Sequence, residues 1–310
     1  MNKDFISIHD ITRYEFHELL DLATKIKENP DKYRKTLKGQ VLAMVFEKPS
    51  LRTRMTFEVG MHELGGKGIY LSPAEIQIGT RETIEDVAHN LERWVDGIMI
   101  RTFSHDTVVR LARASSVPVI NGLSDLSHPC QGMADFLTLR EKKGGLAGVK
   151  LAYLGDGNNV CHSLMLAAAK AGTSMAVGTP KGFEPNPGIT KLALEDGKET
   201  GFSLVITNDP KEAVRNADAV YTDVWASMGQ ESEKEARAKI FAPFQVSPTL
   251  MAQAKPDAIF LHCLPAHREE EVSASVFESP QSVVFDQAEN RLHAQKAIMV
   301  TLMGNRKKNG

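Results

Sequence analysis

Val41-Leu42-Ala43-Met44-Val45-Phe46, followed closely by Ser50-Leu51-Arg52-Thr53-Arg54, is the stretch on which the fold turns. The first six residues form an uninterrupted apolar run, the pattern of a strand buried on both faces. Beyond the second run, Phe57, Met61 and Leu64 recur at helical spacing. A strand therefore hands over to a helix at residues 50–54. The first N–H groups of a helix have no partner within it and carry the positive end of its dipole. Two hydroxyls and two guanidiniums at that spot make a site for a phosphate dianion. Taken alone, the same five residues also suit a solvated basic turn.

The alternation extends outward in both directions. Helical patterns cover 16–25, 53–65, 83–95, 107–114 and 132–142, and strand-like runs cover 97–100 and 118–120. Lys143-Gly144-Gly145 is a helix stop and the candidate linker. A second series follows, with strands at 149–154, 175–177, 219–222 and 259–261, helices at 161–171 and 210–215, and a long terminal helix from Asn290 to Met303. Repeated strand–helix units predict an α/β fold with parallel sheets covered on both faces, built twice as two doubly wound domains. Ligands of such sheets bind beyond the carboxyl ends of the strands.

Size and composition agree. A chain of 310 residues suits about two domains of ~150 residues each. A net charge of -2 gives no support to a nucleic-acid or anionic-membrane partner. No apolar run approaches the ~18 residues of a membrane span, and Met1 to Phe5 lacks the apolar core of a signal peptide. The three cysteines, Cys130, Cys161 and Cys263, are far apart without metal-ligand spacing. A reducing cytoplasmic setting is the expectation.

The remaining polar clusters all fall at predicted strand ends or helix starts. Arg101 follows the strand at 98–100, either solvated or aimed as a fixed cation at an anion or a polarised carbonyl. In His128-Pro129-Cys130-Gln131, the His and Gln can present a donor and an amide to one small ligand, with Cys130 as packing. Gly155-Asp156-Gly157-Asn158-Asn159-Val160 lacks the third glycine of a dinucleotide fingerprint and gives no evidence for NAD; Asn159 is placed to bind a polar substrate group instead. In Asp223-Val224-Trp225-Ala226-Ser227-Met228-Gly229, a carboxylate near Ser and Gly suits an amino acid, and the charged stretch 230–239 reads as a lid. In His262-Cys263-Leu264-Pro265, the cysteine is a nucleophile, a proton acceptor or inert core, and no protease-like arrangement supports covalent catalysis.

Together these clusters resemble the aspartate/ornithine carbamoyltransferase family, over essentially the whole chain and in the family's order. Ser50 to Arg54 is similar to its Ser-Thr-Arg-Thr-Arg phosphate loop, with Leu51 in place of Thr, and His128 to Gln131 is similar to its His-Pro-x-Gln element. Asp223 to Gly229 and His262 to Pro265 resemble the segments that mark the ornithine branch. The resemblance implies transfer of the carbamoyl group from carbamoyl phosphate to L-ornithine, giving L-citrulline and phosphate. It implies a carbamoyl phosphate domain at 1–145, an ornithine domain at 146–289, and a terminal helix, about 290–310, packed back on the first domain. Ser50, Arg52, Thr53 and Arg101 would hold the phosphate, with the Leu51 backbone N–H in the loop and Gln77 reaching in from a neighbouring subunit. Thr53, Arg101 and His128 would donate to the carbonyl oxygen, and Gln131 with the carbonyls of Cys263 and Leu264 would receive the amide. Arg291 would face carbamoyl phosphate. Asn159, Asp223, Ser227 and Met228 would bind ornithine. The implied assembly is a homotrimer or a multiple of trimers.

The chemistry of that reaction fits the residues. An uncharged amine attacks and phosphate leaves, so positioning and stabilisation of the tetrahedral oxyanion dominate, and the implied site is one of Arg, Thr, His and Gln donors with no metal and no cofactor. The side-chain ammonium of ornithine, with a pKa of ~10.4 by analogy with lysine, must first lose a proton. Asp223 and Cys263 are both candidates to orient or deprotonate it. Rival readings are a carbamoyltransferase for aspartate, putrescine or an acylated ornithine, a catalytically silent regulatory homologue, and a nucleotide-binding module.

Overall fold

The computed structural model describes residues 3–226 and 233–304. The chain divides into two compact units, residues 1–137 with 289–310, and residues 138–288.

Unit 1 is built from α1 (Arg13–Glu28), β1 (Val41–Phe46), α2 (Leu51–Glu63), β2 (Lys67–Leu71), α3 (Pro73–Ile76), α4 (Ile84–Trp94), β3 (Gly97–Arg101), α5 (His105–Ala114), β4 (Val119–Leu123) and the start of α6 (Pro129–Lys143). Its four strands are all parallel, in the order β2-β1-β3-β4. The strand order reverses between β1 and β3, which places a switch point beyond Phe46 and Arg101, paired residues in the ladder. Ala43, Val45, Ile98 and Ile100 of the central strands pack with Val87, Leu91, Val108 and Leu111 of α4 and α5. The register of β3 against β4 slips at Ile100/Arg101. Gly122 lies there, and a Cβ on it would stand 2.6 Å from Met99 Sδ. Such an irregularity re-aims the side chain beside it, here Arg101.

Unit 2 holds β5 (Lys150–Leu154), α7 (Asn159–Ala171), β6 (Ser174–Gly178), α8 (Pro187–Asp196), β7 (Leu204–Thr207), α9 (Pro210–Val214), β8 (Ala219–Thr222), α10 (Lys234–Phe241), α11 (Pro248–Met251), β9 (Ile259–His262), α12 (Ala274–Phe277) and the start of α13 (Val284–Met303). Its five strands are again parallel, in the order β7-β6-β5-β8-β9, with the switch point between β5 and β8. Helix α7 is buried from Val160 to Ala171, which its run of alanines permits.

From Glu289 onward α13 belongs to unit 1. Lys296 pairs with Glu63 at 2.7 Å, Gln40 donates to the Met303 carbonyl, and Gly60 of α2 leaves room for Met299, whose Cε would lie 2.8 Å from an added Cβ. The terminal helix packs on the first domain, as the resemblance implied.

The elements outside the sequence expectations include the half-exposed edge strands β2 and β7, the helix α8, which opens on Pro187-Gly188, and the single turns α3, α11 and α12. The 230–239 stretch falls partly outside the described residues; its described part is mostly α10, which buries Arg237 and Phe241.

Candidate active site

In unit 1 the polar side chains gather at the β1/β3 switch point. Ser50 is the N-cap of α2, its Oγ accepting from the Thr53 N–H at 3.2 Å. Thr53 is fully buried and Arg52 half-buried. Leu51 is 74% exposed, so its side chain takes no part in the interior of the loop. Arg54, the second guanidinium of the run, is engaged elsewhere: it stacks 4.0 Å over Tyr70 and pairs with Glu58 at 3.4 Å. It sits on the helix surface because one residue along a helix turns the side chain by about 100°.

Arg291 of α13 is the hub of this cluster. It donates to Gln131 Oε1 at 2.5 Å and to Thr53 Oγ1 at 3.1 Å. With its amide oriented to satisfy its neighbours, Gln295 accepts from Arg291 Nη2 at 3.0 Å and donates to Thr56. Gln131 in turn donates to the buried Asp135 carboxylate at 2.7 Å. The His128 carbonyl accepts from the Gln131 and Gly132 N–H groups and so starts α6. Burial and the guanidiniums of Arg291, Arg101 and Arg52 hold the His128 imidazole well below its ordinary pKa, so it is neutral at physiological pH. Lys48 adds a further cation, its ammonium 4.1 Å from the centroid of the Phe103 ring and its pKa lowered by burial and Arg101. Cys130 packs inertly: burial pushes its thiol up to about 12. Gln77 is exposed, in a left-handed conformation after the single turn of α3.

In unit 2 the β5/β8 switch point is organised around Asp223, a carboxylate only 6% exposed. Its partners are neutral: the Asn158 amide at 2.8 Å, the Val224 N–H at 2.8 Å and the Cys263 thiol at 2.9 Å. Asn158 works at both ends, because its Oδ1 also caps α7 by accepting from Val160 and Cys161. Asn159 is the first residue of that helix and half-buried. The glycines of Gly155-Asp156-Gly157 have their own explanation: a Cβ on Gly157 would lie 2.3 Å from Pro185 N, so backbone meets backbone there. Ser227 and Met228 lie outside the described residues.

After β9 the chain is held by a second buried relay. Glu271, fully buried, accepts from His262 Nε2 at 3.2 Å and from the His267 N–H at 2.6 Å. His262 Nδ1 accepts from the Leu264 N–H at 2.8 Å, which fixes the tautomer with the proton on Nε2. Leu264 is held in the left-handed region, with φ of 61°, a conformation that costs a non-glycine residue ~1–3 kcal/mol and persists where the surroundings impose it. The Cys263 and Leu264 backbone is thus rigidly placed. The Cys263 thiol gives its hydrogen bond to a carboxylate, the arrangement of an orienting donor and not of an activated thiolate.

Residues 3–141 match the family model described as aspartate/ornithine carbamoyltransferase, carbamoyl-P binding domain, and residues 147–302 match that described as aspartate/ornithine carbamoyltransferase, Asp/Orn binding domain. The chain belongs to the aspartate/ornithine carbamoyltransferase family. The second family match runs on into the part of α13 that packs on unit 1. A curated relative from Thermococcus kodakarensis, named ornithine carbamoyltransferase, is 55% identical over 304 residues, covering 97% of this chain and 96% of its own. One from Pyrococcus furiosus, named ornithine carbamoyltransferase, anabolic, is 52% identical with the same coverage of each chain, 97% and 96%. The solved structure of ornithine carbamoyltransferase from Pyrococcus furiosus, 52% identical, superposes with a TM-score of 0.95 over 98% of each chain.

Within this family frame, the structure adds residues that motif reading passed over: Lys48, Asp135, Asn158, Arg237, Glu271 and Gln295. Asn158 carried a readable signal, as an Asn preceding a helix is a natural N-cap. Asp135, Arg237, Glu271 and Gln295 are buried partners that stand in none of the motifs, and Lys48 is half-buried just ahead of the phosphate loop.

Proposed function

We propose that this chain transfers the carbamoyl group from carbamoyl phosphate to the δ-amino group of L-ornithine, giving L-citrulline and phosphate for arginine biosynthesis. The observation that carries the reading is Asp223, a buried carboxylate held by neutral donors at the β5/β8 switch point and shaped to meet an ammonium or amine. In unit 1, Ser50, the Leu51 N–H, Arg52, Thr53 and Arg101 take the phosphate dianion at the start of α2, with Arg291 holding Thr53 and Gln131 in place. Arg101, Thr53 and neutral His128 donate to the carbamoyl oxygen as it gains charge. Gln131 and the carbonyls of Cys263 and Leu264 take the amide hydrogens. In unit 2, Asn159, Asp223, Ser227 and Met228 bind ornithine. The neutral δ-amine forms the new C–N bond, the C–O bond to phosphate breaks, and phosphate leaves with the electron pair. Asp223 orients the amine and receives its proton, with the Cys263 thiol fixing the carboxylate.

Asp223 argues against the rival acceptors: it would repel aspartate, and putrescine has no carboxylate for the amino-acid loop. Among the described residues no helix is long and apolar enough to cross a membrane, and the cytoplasm is the proposed setting. The proposed assembly is a homotrimer or a multiple of it. The apolar side chains of Leu51, Met55 and Ile69, all exposed beside the phosphate loop, support a covered face there. A citrulline colour assay with ornithine, aspartate and putrescine in parallel tests the activity. Citrulline from ornithine alone is expected; a faster carbamoylation of either other amine overturns the reading.

A further inference from the structure

Arg237 comes from the middle of α10, yet only 7% of its side chain is exposed. A guanidinium buried to this degree must be both paired and hydrogen-bonded. Its Nη2 donates to Asp156 Oδ2 and its Nε to the Trp225 carbonyl. The guanidinium also lies 4.9 Å from the Phe183 ring centroid and 5.2 Å from that of Phe241, an aromatic slot that fixes its plane. Phe241 stacks on Trp225 in turn, with centroids 6.0 Å apart.

Its two hydrogen-bond partners sit in the loops that bracket Asp223. Trp225 lies two residues after Asp223, just beyond β8. Asp156 lies two residues before Asn158, the amide that holds Asp223 at 2.8 Å. The Asp156 carbonyl accepts from the Tyr153 hydroxyl at 2.8 Å and from the Asn158 N–H at 2.7 Å, bonds that brace the loop internally. Asp156 and Asp223 also sense one another: burial raises the Asp156 pKa and the charge of Asp223 adds to the rise, while Arg237 opposes both.

We propose that Arg237 is a positioning residue for the amino-acid substrate: it clips the 155–158 loop to the 223–226 loop and so sets where the Asp223 carboxylate meets ornithine. The inference rests on the ornithine reading above. Arg237 does not touch the substrate itself; it acts through Asp156, Asn158 and the Trp225 carbonyl. Ser50, Arg52, Thr53 and Arg101 belong to the other unit, and none of the Arg237 contacts described above involves them. Its removal is therefore expected to weaken ornithine selectively.

The test uses the full chain and three variants, Arg237→Gln, Arg237→Lys and Asp156→Asn, with citrulline formation measured against each substrate in turn. Arg237→Gln is expected to raise the ornithine KM about tenfold or more, with the carbamoyl phosphate KM within about twofold and kcat at saturating ornithine within about fivefold. Arg237→Lys keeps the charge without the fork, so its ornithine KM should fall between wild type and Arg237→Gln. Asp156→Asn should show a smaller rise with the same selectivity. A wild-type ornithine KM in Arg237→Gln, or parallel rises in both KM values, overturns the proposal. Should Arg237→Gln fail to fold by thermal melting, the other two variants decide, and an unchanged ornithine KM in both overturns it. A wild-type chain that makes no citrulline overturns the functional reading instead, before any variant is measured.

Discussion

His128 is buried and surrounded by the guanidiniums of Arg291, Arg101 and Arg52, and its protonation follows from burial first and from those charges second. In the folded chain the ring takes a proton only well below its ordinary value of 6.5; in the unfolded chain it does so near that value. Above that value neither state binds the proton and pH has no effect through this group. Below it the unfolded chain binds the proton first, so stability falls as pH falls. His105 and His293 are displaced in the same direction, chiefly by burial. The thermal midpoint should drop between about pH 7 and about pH 5.5, and His128→Asn should flatten that drop. An identical pH slope in the variant would contradict the account. Arg52→Ala should remove most activity, because it strips a charged donor from a phosphate dianion. Leu51→Thr should change the carbamoyl phosphate KM by roughly tenfold or less, the worth of one hydrogen bond. Steady-state kinetics check both, and a near-normal Arg52→Ala would sink the phosphate-loop assignment. The side chains of Ser50, Arg101, His128 and Asp223 were legible in the sequence because each follows an apolar run or opens a helix. The hold of Asn158 on Asp223 was not, because the two lie 65 residues apart in the chain. Arg237 was not legible either, since its carboxylate partner lies 81 residues away.

Ser50 serves α2 twice at the level of the element, as a cap on the helix and as a proposed phosphate ligand. Ser50→Ala should cost about 1 kcal/mol of capping and lower the melting midpoint by ~2–4 °C for a domain of this size. It should also raise the carbamoyl phosphate KM. Calorimetry and kinetics on one preparation separate the effects, and a variant altered in neither would remove Ser50 from both roles. The central strands β1, β3, β5, β6 and β8, and the buried edge strand β9, were readable because burial demands a run of apolar residues. The edge strand β2 was not, because a half-exposed strand tolerates Lys67 and Gly68 and blurs that signal; β7 was passed over although Leu204-Val205-Ile206 is as long an apolar run as that of β9. The segment after β2 contains one helical turn, α3, too short to leave a periodic pattern.

For the whole molecule, the proposed trimer makes a direct demand. Gln77 and Arg81 are exposed on unit 1, so each is available to a neighbouring subunit's phosphate loop. Inactive Gln77→Ala/Arg81→Ala subunits, mixed with inactive Arg52→Ala subunits and then dissociated and reassembled, should regain activity at hybrid interfaces. Verified reassembly without activity would refute a shared site. One further consequence follows from the place of Arg291. Unit 1 is made of two stretches of chain, residues 1–137 and 289–310, whereas unit 2 is a single stretch. On a ribosome, residues of the phosphate loop emerge long before the arginine that grips Thr53 and Gln131. Unit 2 is therefore expected to be able to complete its fold first, while the earlier-made part of unit 1 waits for α13. On the proposed assignment, the nascent chain gains its full grip on carbamoyl phosphate only after Arg291 has emerged.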